Sequence, residues 1–81
     1  MIIGGLYSYP RATKDLWDSI ERGSKVITDC RVECGEPFVI LEESCFTKNP
    51  QRAHIKVLTT QGIIGWIAYI DKSHLVEVKE P

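Results

Sequence analysis

The sequence lacks any excess of basic charge: 10 Lys and Arg stand against 11 Asp and Glu, for a formal net charge of −1. A nucleic-acid binder usually presents a basic face, so nucleic acid is not the expected partner. No apolar run approaches the roughly 20 residues that a membrane-spanning helix needs, so no membrane partner is expected either. The opening "MIIGGLYSYP" has no basic start and no small-residue cleavage site after an apolar core, as a secretory leader would. A soluble, cytoplasmic protein is the resulting expectation. Cysteine is scarce and odd in number, with 3 residues at Cys30, Cys34 and Cys45. That argues against a disulfide framework and for a reducing compartment. It also serves zinc poorly, because on one strand Cys30 and Cys34 would lie about 13 Å apart. A turn at Cys34-Gly35 would shorten the gap and leave Cys45 and His54 as further ligands. Zinc is therefore the lesser alternative to buried thiols, and no metal site is assigned.

Phosphate-cradling glycine motifs are missing, and so is any specific spacing of a nucleophile with a base or of paired carboxylates. Cys45 with His54 is the nearest approach to such a pair and is weak. The expectation is a non-enzyme without a cofactor.

What is present suits one small folded domain spanning residues 1–81. Hydrophobic residues make up 43% and charged residues 26%, an ordinary globular balance. Residues 2–9 read as a strand that Pro10 ends. "KVITDCRVE" alternates over residues 25–33, with Val26, Thr28, Cys30, Val32 and then Cys34 on the side to be buried. "CGEP" is a turn, and "FVILEE" is a strand apolar enough to be covered on both faces or central to the sheet. "SCFTKNPQRA", residues 44–53, reads as the main loop. "HIKVLTT" and "IIGWIAYI" read as a hairpin turned at Gln61-Gly62, with Gly65 allowing a bulge or a close backbone approach. "DKSH" suggests one 3₁₀ turn before a closing strand from Leu75 to Val78. Between the first two strands, Ala12, Leu16 and Ile20 fall at helical spacing, Thr13 can cap, and Gly23 can stop. A helix over about 14–22 follows, and its rival is a long irregular loop carrying acids. The fold class is mainly β, a strongly bent antiparallel barrel with one helix inserted after the first strand.

Those pieces resemble the SH3-like barrels of bacterial and viral type. "GLYSY" is similar to the aromatic first strand of peptide-binding SH3 domains, and "GEPFVILEE" to the strand after their diverging turn. "IKVLTTQGIIGWI" resembles their distal hairpin, and "AYIDKSHLVEV" their 3₁₀ turn and last strand. Size and motif order also resemble short SH3-like proteins of tailed phages, particularly those infecting cyanobacteria; for such a protein the compartment would be the host cytoplasm. A weaker likeness, through "RGSKV" and "LVEV", is to the SH3-like stromal subunit of photosystem I. The tryptophan and proline of the SH3 peptide site have no counterpart here, since Ala53-His54 and Trp66, Ala68 and Tyr69 occupy those places. The resemblance implies ligand-facing roles for Tyr7 and Tyr9.

Phenols favour one wet end, so Tyr7, Tyr9 and Tyr69 are the surface aromatics of choice, whereas Trp17 and Trp66 are expected to pack against the core. With Arg52, His54 and Lys56 the tyrosines make an aromatic and basic ligand face. Two functions suit it. One is a protein-interaction module, docking on a host or phage protein or forming a homo-oligomer. The other is an oligomeric protein that sequesters a nucleotide signal and so counters host defence.

Overall fold

Alternation at a period of two decides the architecture. In Arg52–Thr59, residues Ala53, Ile55, Val57 and Thr59 are buried while their neighbours are half-buried or exposed. The computed structural model describes residues 2–45 and 48–79. Over these the strands are β1 (Leu6–Ser8), β2 (Lys14–Trp17), β3 (Val26–Val32), β4 (Phe38–Cys45), β5 (Arg52–Thr59), β6 (Ile64–Asp71) and β7 (Val76–Glu77). A 3₁₀ turn at Lys72–His74 separates the last two. All strands join one antiparallel sheet in the order β3-β2-β6-β5-β4-β1-β7. One face carries the core, in which Leu16, Phe38, Ile40, Ile55, Val57, Ile67 and Ile70 are almost wholly excluded from solvent. Burial of each such side chain contributes about 1.5–3 kcal/mol. No helix of the described residues is long and apolar enough to cross a membrane.

The helix expected over 14–22 is absent. Lys14–Trp17 is a strand, followed by a loop over residues 18–25. A helix of that length is marginal in water and would bury only a narrow face. As a strand, the segment fills the edge of β6, drops Leu16 into the core at 0% exposure and sets Trp17 opposite Trp66. The signals read as helix caps serve other bonds. Thr13 Oγ1 donates to Glu33 Oε2 at 3.2 Å and accepts from the Cys34 amide at 3.2 Å. Gly23, at φ +87°, turns the loop. Asp18 closes that loop: its amide donates to the Lys25 carbonyl at 3.0 Å, and its carboxylate accepts from the Lys25 amide at 2.9 Å. The irregular-loop reading thus fits residues 18–25, and neither reading fits 14–17.

Three register shifts bend the sheet, in β2 between Asp15 and Trp17, in β4 between Ile40 and Glu42, and where β5 meets β6 around His54. Such bulges add twist and curvature. In β3 the expected alternation breaks at Asp29, whose φ is +60°, so that Ile27 rather than Thr28 packs toward the core. β4 is central to the sheet, between β5 and β1, but it is not covered on both faces, since Val39 and Leu41 stay half-buried. The residue 44–53 loop is shorter than expected, because Ser44, Cys45, Arg52 and Ala53 belong to strands; Phe46 and Thr47 lie outside the described residues.

The 3₁₀ turn is pinned at its N-terminal end. Asp71 accepts from the Ser73 hydroxyl at 2.7 Å and the Ser73 amide at 3.0 Å, which holds its carboxyl below the usual range. Lys72 Nζ lies 3.0 Å from Glu43 Oε2 and 3.2 Å from Cys45 Sγ. These bonds, that to Glu43 first, raise the Lys72 ammonium above its ordinary value. The thiols are not buried as expected: Cys34 and Cys45 are exposed, Cys34 Sγ donating to the Pro10 carbonyl at 2.9 Å, and only Cys30 packs at the edge of the core. Among the described residues no three His, Cys, Asp or Glu side chains converge as a metal site.

Candidate functional site

β5 and β6 present their non-core face beside the 18–25 loop, and a cleft of about 260 Å³ lies between them. Trp17 and Trp66, directly opposite across β2 and β6, line it together with Ala68. His54 and Tyr69 form one wall, and the loop contributes Ile20, Glu21 and Arg22. The loop keeps its shape through local bonds: the Glu21 amide donates to Ser19 Oγ at 3.0 Å, and the Ser24 amide to the Glu21 carbonyl at 3.1 Å.

The wall depends on a bulge. Ala53 pairs with Ile70 and Ile55 with Ile67, so Ala68 and Tyr69 together oppose His54. This extra residue is accommodated by a left-handed backbone at Tyr69, with φ +57°. That conformation is costly for a bulky side chain. Its effect is to turn the Tyr69 ring outward, 61% exposed, onto the His54 ring, with centroids 4.8 Å apart and planes at 76°. The Tyr69 amide donates to His54 Nδ1 at 3.4 Å, and Arg52 Nη1 donates to the Tyr69 carbonyl at 3.2 Å. Desolvation lowers the His54 pKa from its ordinary value, which favours the neutral imidazole.

The structure therefore assembles Arg52, His54 and Tyr69 and separates the rest of the expected face. Lys56 is next in phase along β5, but it is directed to Glu42, with Nζ 3.8 Å from Oε1. Tyr7 and Tyr9, expected at the surface, are core residues at 7% and 6% exposure. The Tyr7 hydroxyl accepts from the Ile2 amide at 2.9 Å, and that of Tyr9 from the Asp71 amide at 3.4 Å. Burying both rings adds more apolar area than leaving them out, and each phenol still finds a hydrogen bond. Trp17 and Trp66 are the functional candidates that sequence reasoning missed. In β6 the inward phase runs through Gly65 and Ile67, which puts Trp66 and Ile64 on the outer face. The readable signal was that Trp66 stands out of phase with Ile67.

Comparison of the chain with protein-family models, curated proteins and solved structures finds no match to any of them.

Proposed function

We propose that this chain is a non-catalytic binding module on an SH3-like sheet, taking an extended segment of a partner protein across the cleft between the 18–25 loop and the outer face of β5–β6. The SH3-like reading is supported by the order of parts: a tight hairpin between β5 and β6, then a 3₁₀ turn, then a short last strand returning to lie beside the first. Curvature from the bulges and a core confined to one face suit a closing barrel.

The observation that carries the functional reading is the cleft itself. Two indoles and a phenol on an imidazole give it flat, amphipathic walls of the kind enriched where proteins recognise one another. At about 260 Å³ it is smaller than the roughly 300–1,000 Å³ of small-molecule sites, and suits one or two side chains of a peptide. Its size also counts against the rival, an oligomeric sponge for a nucleotide signal. That reading needs cations converging on phosphate, and here Lys56 leans on Glu42 while Arg52 holds the Tyr69 carbonyl. Arg22 and the aromatic lining of the cleft are in its favour. The likeness to short phage proteins makes host proteins the partner class to screen first, with self-association as the other route to a partner.

Both tryptophans of the chain line the cleft, so intrinsic fluorescence reports its occupancy without a label. A displayed library of random linear peptides is selected on the protein, and the enriched peptides are titrated against it. Binding that shifts the emission and is lost in Tyr69→Ala supports the module. Failure to enrich any peptide overturns it. A parallel thermal-shift screen with nucleotides identifies the rival, which predicts stabilisation where peptides give none.

A further inference from the structure

The outer face of the sheet carries a second feature, one row from the cleft-lining Trp66. Leu6 lies opposite Val39, Val39 opposite Leu58, and Leu58 opposite Ile64, giving one unbroken aliphatic row across β1, β4, β5 and β6. Their buried neighbours Tyr7, Phe38, Val57 and Gly65 face the core, so the row points away from it. Leu6, Val39 and Leu58 are half-buried, and Ile64 stands out at 52% exposure. Alongside the Leu6, Val39 and Leu58 part of the row runs a groove of about 110 Å³, lined also by Pro37 and Thr60. The next row holds Glu42 on β4 opposite Lys56 on β5, paired at 3.8 Å.

We propose that this row is the contact surface of a symmetric dimer of this chain, its two sheets packed outer face to outer face about a two-fold axis that runs along the strands between β4 and β5. That axis lays β4 over β5 of the second copy and β1 over its β6. Val39 then meets Leu58, and the projecting Ile64 of each copy meets the groove beside Leu6 in the other. The same rotation keeps rows in line, so Glu42 of each copy faces Lys56 of the other, twice. An axis along the row instead would set Glu42 over Pro37 and lose the charge match. The patch is thus self-complementary in shape and in charge, as an isologous contact must be. A net charge of −1 per chain adds little repulsion.

Four strands about 4.8 Å apart and about five residues deep give a footprint of about 300 Å². A standard interface takes roughly 800 Å² per partner. The dimer is therefore weak and reversible, populated at high local concentration. His54 and Tyr69 lie in rows beyond the Glu42–Lys56 row, whereas Trp66 stands in that row opposite Lys56, so one wall of the cleft borders the patch.

Sedimentation equilibrium of the full chain from about 10 μM to about 1 mM tests it. The weight-average mass should climb from one chain toward two. Ile64→Glu should weaken association about tenfold or more, with an unchanged thermal midpoint showing that the fold survives. Glu42→Lys and Lys56→Glu should each weaken it, and the double exchange should restore it. A single-chain mass across the whole range overturns the proposal, as does association that survives Ile64→Glu. Failure of the double exchange to restore association overturns the assigned axis.

Discussion

Replacing Tyr69 by alanine and, separately, by glycine isolates the strain at the cleft wall. Both variants lose the ring and its contact with His54, so their difference reports the backbone alone. In an ordinary strand alanine is the more stable of the two by roughly 0.5–1 kcal/mol, because glycine has more conformational freedom to lose. At φ +57° an L-residue instead suffers roughly 1–2 kcal/mol from its Cβ against the following carbonyl. The two effects oppose each other, and the larger leaves glycine ahead by about 0.5–1 kcal/mol. In a domain of this size that is roughly 2–8 °C in thermal midpoint. Thermal or urea unfolding of the two variants side by side reads the difference. If Tyr69→Ala is as stable as Tyr69→Gly or more so, the left-handed bulge is wrong, and the account of how Tyr69 reaches the cleft falls with it. If the order is as expected, the left-handed backbone at residue 69 strains any L side chain, and the tyrosine is held there against that cost.

Gly65→Ala should destabilise, since its added Cβ would lie 3.0 Å from Leu16 Cβ and 3.2 Å from Ile27 Cδ1. Leu16 Cβ is fixed to a paired strand and cannot swing away, so a loss of about 1–3 kcal/mol is expected in urea unfolding, smaller in an Ile27→Val background; an unchanged midpoint would mean β2 does not press on β6. His54 should titrate below 6.5 in the folded chain by ¹H NMR. Its folded pKa is depressed, so the unfolded state binds the proton more readily and stability rises with pH from the folded pKa to the unfolded one. His54→Gln should flatten that slope, and a folded midpoint at or above 6.5 would remove the desolvated wall from the description.

Most strands were legible because their alternation is strong and their turns are marked. Gly62, at φ +80°, turns β5 into β6 where "TQGI" places it. Lys14–Trp17 was not legible, because four residues are too few to show a period and Thr13, Asp15 and Gly23 imitate helix ends. What makes the segment a strand is β6, far away in sequence. Of the candidate site, Arg52, His54 and Tyr69 could be grouped from their chemistry. The tyrosines at 7 and 9 could not be excluded, since a phenol that is buried and hydrogen-bonded looks, in sequence, like one at the surface. The outward Trp66 was hidden by the bulge at Tyr69, which breaks the simple alternation of β6 between Ile67 and Ile70.

The pairing of Trp17 with Trp66 also fixes an order of events during synthesis. β2 is made early, but its seat on β6 emerges only after about 50 further residues. Closing a loop of that length costs about 3–4 kcal/mol of chain entropy, against a single strand contact. While the chain is still on the ribosome, Leu16 and Trp17 can pair with β3 but lack β6 and the core that it brings. The N-terminal third should then be the part of the nascent polypeptide that chaperones hold and proteases cut, until the β5–β6 hairpin arrives.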